Sequence, residues 1–220
     1  MRTLITALSA AAAMVAVPAS ASVIFFDSFE APDVADWAVF SNAGDNGDWS
    51  VVDGAGIEIQ QSGVVVQAFD QEQYVELDSD TSRGGANAGT NTTMAANVAF
   101  VAGQQYRITF AYRPRTNGAN DNGIELFVGE YDGANLTNEA SLTTVFAQSS
   151  VQTDWLPISV LYTAMADVDA LGFRAVGDEN SLGGFIDAVS VSAVPLPAGV
   201  LLFGTGLAGL SVMRRKGRKA

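Results

Sequence analysis

Hydrophobic and polar residues alternate along short stretches in the middle of this chain. In the stretch QQYRITFAYRPR every second position is aromatic or aliphatic, namely Tyr106, Ile108, Phe110 and Tyr112. Successive side chains of a strand point to opposite faces of a sheet, so this alternation predicts a strand with one buried face. The stretch NGIELFVG repeats the pattern at Ile124, Leu126 and Val128.

Eight further stretches have the same character, and clusters of Gly, Asn and Asp separate them. They are VIFF, WSVV, GIEIQ, QYVELD, MAANVAFV, WLPISVLYTA, ALGFRAV and GGFIDAVSV. No stretch of residues 22–193 has a convincing helical period with caps, and Asp78–Thr93 has the composition of a long exposed loop. About ten short alternating strands predict an all-β domain, most simply a single β-sandwich.

The two ends of the chain differ from this middle part. Arg2 precedes an apolar stretch over residues 4–17, and Ala19-Ser20-Ala21 offers the small residues that a signal peptidase recognises. Residues 1–21 are therefore predicted to be a secretory signal peptide that is cleaved after Ala21.

The other end, residues 194–220, combines prolines, an apolar run and a basic tail. Residues 198–213 are apolar or small, and as a helix they would span about 24 Å, short for a bilayer core of about 30 Å. Arg214 and Arg215 begin the basic tail, which the positive-inside rule keeps in the cytoplasm. The physics fits either a permanent membrane anchor or a sorting signal that is later removed.

Charge is distributed very unevenly along the chain. All 24 acidic residues lie between residues 22 and 193, together with only five of the 11 basic residues, so this segment has a formal charge of −19. Such a surface repels nucleic acid. The chain has no cysteine and no histidine, which excludes disulfides, Ser-His-Asp or Cys-His nucleophiles and histidine-ligated zinc. Carboxylate chemistry, oxygen-ligated cations and binding remain.

Several segments together resemble one group of exported proteins. The segments are FFDSFEAP, GIEIQQSG, AFDQEQYVELDSD, YRITFAYRPR, GFRAVGDENSLGGFIDAVSV and, at the end, VPLPAG with RRKGRK. The domain is similar to galactose-binding-like and carbohydrate-binding-module jelly rolls, and the tail resembles a PEP-CTERM sorting signal. Val194, Pro195, Leu196, Pro197 and Ala198 stand where other members have Pro-Glu-Pro.

The resemblance implies how the protein is exported, anchored and processed. It implies a jelly-roll domain on the outer side of the membrane, held first by the C-terminal helix. Processing by an exosortase-type enzyme near the Val-Pro-Leu-Pro-Ala motif would then release it to the surface or extracellular matrix of a Gram-negative bacterium that makes exopolysaccharide. The mature protein would lack residues 214–220.

The last predicted strand contains a carboxylate that needs a partner. Strict alternation places Asp187 on the same face as Val189 and Val191, and an unpaired buried carboxylate is costly. In related jelly rolls a Glu after the first strand and an Asp of the last strand bind a structural calcium ion, and Glu30 and Asp187 match these positions. Calcium takes six to eight oxygens, so backbone carbonyls, together with Asp27 or Asp53, would have to supply the rest. Alternatively, Asp187 pairs with Arg174 or with a backbone amide.

Other polar and aromatic residues are candidates for a sugar site. Glu58, Glu76, Asp78 and Arg113 are charges between apolar strand neighbours, so they could line one sheet face, although solvated charges would look the same. Trp49 follows the loop GDNGD and could stack on a sugar, whereas Trp155 opens a strand and is expected in the core.

Three hypotheses for the function follow. The first is a non-enzymatic surface or matrix protein that binds an extracellular polysaccharide. The second is a glycan hydrolase that uses Glu58 and Glu76 as its two carboxylates. The third is a structural acidic coat protein, suggested by the charge of −19.

Overall fold

Thirteen strands, all paired in antiparallel fashion, form two sheets in the described part of the chain. The computed structural model describes residues 21–80, 89–116, 121–147 and 154–195. The predicted signal peptide, the apolar run 198–213 and the basic tail therefore lie outside the described residues, apart from Ala21. None of the described segments contains a helix long and apolar enough to cross a membrane.

The larger sheet has seven strands. They are β1 (Ser22–Asp27), β2 (Trp37–Phe40), β5 (Ile57–Gln61), β6 (Gln73–Glu76), β8 (Gln105–Pro114), β11 (Leu156–Thr163) and β13 (Gly184–Val194). Their order across the sheet is β11-β8-β13-β6-β5-β2. The first half of β13 pairs with β6, and its second half pairs with β1, so the first and last strands of the domain are neighbours.

The smaller sheet has six strands. They are β3 (Asn42–Ala43), β4 (Trp49–Asp53), β7 (Thr93–Phe100), β9 (Gly123–Tyr131), β10 (Leu136–Val145) and β12 (Val168–Val176). Their order is β10-β9-β12-β7-β4-β3.

The main hydrophobic core packs between the inner faces of these two sheets. The alternating residues of β8, from Tyr106 to Tyr112, are at most 2% exposed. Phe110 of the larger sheet meets Phe173 of the smaller sheet with their ring centroids 5.0 Å apart. Burying such a side chain contributes about 1.5–3 kcal/mol, so this layer of apolar contacts explains why a domain without disulfides folds. The prediction of an all-β jelly-roll sandwich is confirmed.

Each of the ten predicted stretches contains a strand, but three strands were not predicted. β2 and β3 are very short, and β10 is an edge strand whose residues are mostly exposed. An edge strand that buries little of either face has no need of apolar alternation, so its sequence LTNEASLTTV carries no strand signal.

Candidate functional site

Most of the predicted sugar-binding carboxylates meet on the outer face of the larger sheet. Ile57, Ile59 and Val75 of β5 and β6 point into the core, so the residues between them point outward. Glu58 of β5 lies directly opposite Glu76 of β6. The structure thus brings together two carboxylates that the sequence separates by 18 positions.

A glutamine and an arginine hold this carboxylate pair. The Gln60 amide nitrogen donates to Glu58 at 2.7 Å and to Glu76 at 2.5 Å, and Arg115 donates to Glu76 at 2.6 Å. Burial, together with the charge of Glu58, raises the pKa of Glu76 well above its usual value, although Arg115 opposes this. Burial also raises the pKa of Glu58.

The pair is closed to a polymer ligand. Glu58 is 3% exposed and Glu76 is 0% exposed. Their remaining oxygens accept backbone N–H groups, from Asp80 to Glu58 at 2.7 Å and from Gly183 to Glu76 at 2.6 Å. A glycosidase needs its two carboxylates at the sugar, and here the loops around residues 80 and 183 bind to them instead.

The other predicted site residues have different positions. Asp78 lies just beyond β6, is buried, and accepts the backbone N–H groups of Asn180 and Leu182. Arg113 of β8 is partly exposed and lies opposite Phe185 of β13.

Neither of two tryptophans lies where it was predicted. Trp49 is not in a loop: it opens β4, is 0% exposed, packs against Phe173, and donates its indole N–H to Asp27 at 3.1 Å. A sugar therefore cannot reach its ring. Trp155, expected in the main core, is partly exposed and packs on the outer face against Tyr74 and Phe69, with ring centroids 5.9 and 6.2 Å apart.

Asp187 does not face the main core, because a β-bulge interrupts the alternation. Ala188 has a φ of 49°, and the pairing of β13 with β8 shifts between Asp187 and Ser190. The bulge turns Val189 and Val191 inward while Asp187 stays on the outer face. Strict period-2 reasoning failed here because one extra residue reverses every side chain after it.

Backbone amides are the partners of Asp187. Its carboxylate accepts the N–H groups of Phe69 at 2.8 Å and Asp70 at 2.9 Å. The prediction that Asp187 pairs with a backbone amide is therefore confirmed. The prediction that it pairs with Arg174 is wrong, because that guanidinium pairs with Glu125 and Glu139 on the smaller sheet.

Glu30 binds the same loop as Asp187. Its carboxylate accepts the N–H groups of Glu72 and Gln73, each at 3.0 Å. The loop of residues 62–72 therefore lies over the outer face and is held by carboxylates from β13 and from the segment after β1. We name it the cover loop. Calcium at Glu30 and Asp187 stays a prediction, and both carboxylates already have two amide donors from this part of the chain.

Burial raises the pKa values of three carboxylates, namely the two that hold the cover loop and Asp27 at the end of β1. Burial raises the pKa of Asp187 to about 7, against the lowering effect of its amide donors, and the nearby charge of Asp70 adds to the rise. Burial likewise raises the pKa of Asp27 to about 6. The pKa of Glu30 is also raised, with burial as the main cause.

A separate cavity of about 620 Å³ lies at one end of the smaller sheet. It forms where β7 and β9 end and where β10 and β12 begin, and we name it the strand-end cavity. Its apolar lining includes Val101, Tyr131 and Val168, and its polar lining includes Asn135 and Thr137. This volume and this mixture of surfaces are typical of ligand sites.

Four carboxylates surround the strand-end cavity, and no basic side chain belongs to its lining in the described part of the chain. They are Glu130, Asp132, Asp167 and Asp169. All four side chains are exposed. Asp169 accepts the backbone N–H of Tyr131 at 3.0 Å, and amide donors from Asn135 and Ala134 lower the pKa of Asp132. Sequence reasoning missed this cavity because β10, which forms one wall, was not predicted.

Comparison with solved structures supports the architecture. The chain is similar to the K1 cleaved adhesin domain of Lys-gingipain from Porphyromonas gingivalis W83, with 16% identity over 78% of this chain and 98% of that chain and a TM-score of 0.50. It is similar to the K2 cleaved adhesin domain of Lys-gingipain, with 15% identity over 78% and 99% and a TM-score of 0.51.

A third similar structure is the CBM22-1-CBM22-2 tandem domain of Xyn10C from Paenibacillus barcinonensis. Identity is 12% over 83% of this chain and 48% of that chain, with a TM-score of 0.49. No protein-family model and no curated protein matches the sequence. At these identities the adhesin domains show a shared two-sheet fold, and the function has to be argued from the site.

The raised pKa of Asp187 predicts a stability that falls as the pH rises from 4 to 7. Above its ordinary pKa of 3.8 the unfolded chain loses this proton, while the folded chain keeps it up to about pH 7. Each pKa unit corresponds to about 1.4 kcal/mol, so ionisation of Asp187 should lower the free energy of unfolding by a few kcal/mol. The free energy of unfolding, measured with urea at several pH values, should fall less between pH 4 and 7 in Asp187→Asn than in wild type.

The exposed Asp33 gives the matched control. In Asp33→Asn the free energy of unfolding should fall with pH as much as in wild type. Repulsion among the other carboxylates contributes to this fall in both proteins. Equal pH profiles for wild type and Asp187→Asn would show that Asp187 is already ionised in the folded domain.

Proposed function

We propose that this protein is an exported, non-enzymatic, polysaccharide-binding surface or matrix protein, and that the strand-end cavity holds the sugar. The cavity is the observation that carries the proposal. It offers a volume of about 620 Å³, the apolar side chains of Val101 and Val168 and several hydrogen-bonding side chains at an accessible end of the sandwich. Sugars present apolar ring faces and polar edges, so they suit such a lining.

The burial of Glu58 and Glu76 favours binding over hydrolysis. Loops cover the pair, so the hydrolase alternative would need a rearrangement that exposes both carboxylates. The adhesin domains that share the fold are named for attachment, which fits a binding role for this chain.

The charge of the cavity selects among polysaccharides. Glu130, Asp132, Asp167 and Asp169 surround it, and the whole segment 22–193 has a formal charge of −19. Like charges repel at short range, so polymers that bear uronate or sulfate groups are disfavoured. Neutral or amine-bearing polysaccharides are the preferred class.

Filling the cavity should abolish sugar binding. Ala99 lines the cavity and is exposed, so Ala99→Trp adds bulk there at little cost to folding. On a glycan array and on the producer's own polysaccharide, this variant should bind at least 10-fold more weakly than wild type, a loss of about 1.4 kcal/mol. Ala35→Trp is the control, since Ala35 is exposed and outside the lining.

Three results would contradict the proposal. If Ala99→Trp binds as strongly as wild type, the sugar binds elsewhere on the domain. Release of reducing ends that Glu58→Gln abolishes would make the protein a hydrolase. Binding to no glycan, including the producer's own, would favour the structural coat protein.

The sorting part of the proposal rests on the sequence of residues 194–220. The Val-Pro-Leu-Pro-Ala motif, the short apolar run and the basic tail support membrane anchoring followed by exosortase-type processing. Intact mass spectrometry of protein extracted from the cell surface should give a chain that lacks residues 1–21 and 214–220. Recovery of the basic C-terminus would make the tail a permanent anchor.

A further inference from the structure

One buried carboxylate oxygen has no hydrogen-bond partner in the described part of the chain. It is Oδ1 of Asp78, a residue that is 1% exposed. The other oxygen of this carboxylate accepts two backbone N–H groups, from Asn180 and Leu182, each at 3.1 Å. A buried carboxyl oxygen without a partner is unfavourable, so a missing partner is expected at this position.

Asp78 lines a narrow void together with other residues that carry side-chain oxygens. Asp121, Asn91 and Asp178 also line this void. The void has no room for the centre of a water-sized sphere, so water is a poor candidate for the missing partner. Calcium binds oxygens at about 2.3–2.6 Å, which is closer than a water molecule approaches them.

Asn180 ties the two carboxylates into one site. Its backbone N–H binds Asp78, and its side-chain amide lies 3.4 Å from Asp121 Oδ2. Asp78 follows β6, Asp121 precedes β9, and Asn180 belongs to the connection between β12 and β13. Three distant segments of the chain therefore meet at this void.

Asn91 supplies a further oxygen. Its side-chain nitrogen donates to the carbonyl of Gly177 at 3.1 Å, so its side-chain oxygen remains an acceptor. Asn91 also forms an isolated antiparallel bridge with Asp78, which fixes the two residues side by side.

We propose that this void is a calcium site, with Asp78 and Asp121 as the carboxylate ligands and Asn91 as an amide ligand. No group of three or more carboxylates among the described residues is arranged to hold a metal, so amide and carbonyl oxygens have to complete the coordination. Calcium accepts such irregular sets of oxygens, whereas magnesium requires an octahedron and keeps several waters. The ion would hold the β12–β13 connection against β6 and β9.

The test measures calcium binding to the full chain after chelation. Isothermal titration with Ca²⁺ and thermal melting with and without Ca²⁺ should show binding and a rise in melting temperature for wild type. Mg²⁺ at the same concentration should give a smaller rise. Asp78→Asn and Asp121→Asn should each weaken Ca²⁺ binding at least 10-fold.

Two control variants show whether the loss of Ca²⁺ binding is specific to this void. Asp33→Asn, at an exposed position, should bind Ca²⁺ as wild type does. Glu30→Gln should also bind normally, because Glu30 contacts the cover loop instead of this void. If Asp78→Asn fails to fold, Asp121→Asn gives the same comparison from a partly exposed residue.

Several results would overturn the proposal. They are the absence of Ca²⁺ binding to wild type, unchanged Ca²⁺ binding in both Asp78→Asn and Asp121→Asn, and loss of binding in Glu30→Gln alone. The last result would place the ion at Glu30 and Asp187. None of these results depends on whether the strand-end cavity binds a polysaccharide.

Discussion

The hydrogen bond from a backbone amide to a buried carboxylate is the interaction on which the loops of this domain depend. The sandwich core holds the strands, but the chain has no cysteine with which to fix its loops. Asp27 accepts the amides of Phe29 and Asp45, and Asp187 accepts those of Phe69 and Asp70. The hydrogen bonds of Asp187 link segments that are 117 and 118 positions apart in sequence.

This arrangement places part of the acidic side chains inside the fold and makes stability depend on pH. Not all of the acidic side chains lie at the solvent-exposed surface. Five of them are buried, namely Asp27, Glu58, Glu76, Asp78 and Asp187. Burial raises the pKa values of Asp27, Glu58, Glu76 and Asp187, which couples stability to pH. One oxygen of Asp78 has no protein partner in the described part of the chain. In the function proposed above, the exposed carboxylates around the strand-end cavity serve recognition.

The sequence allowed the strands to be predicted better than the site. Alternation in β8 and β9 identified the fold, because sheet burial requires a period of two. The same rule misplaced Asp187, since the bulge at Ala188 is a backbone event that leaves no signal in the side-chain pattern. Trp49 follows a polar loop yet enters the core, and Trp155, which directly precedes β11, packs on the outer face against Tyr74. The strand-end cavity depends on the edge strand β10, whose polar sequence gives no sign of a strand.

Amide hydrogen exchange tests most directly whether buried carboxylates hold the cover loop. If they do, the amides of Phe69 and Asp70 should be protected in wild type like those of paired strands. In Asp187→Ala these two amides should exchange at least 10-fold faster, while core amides of β8 remain protected. Rapid exchange of Phe69 and Asp70 in wild type, or unchanged protection in Asp187→Ala, would contradict this role of the carboxylates.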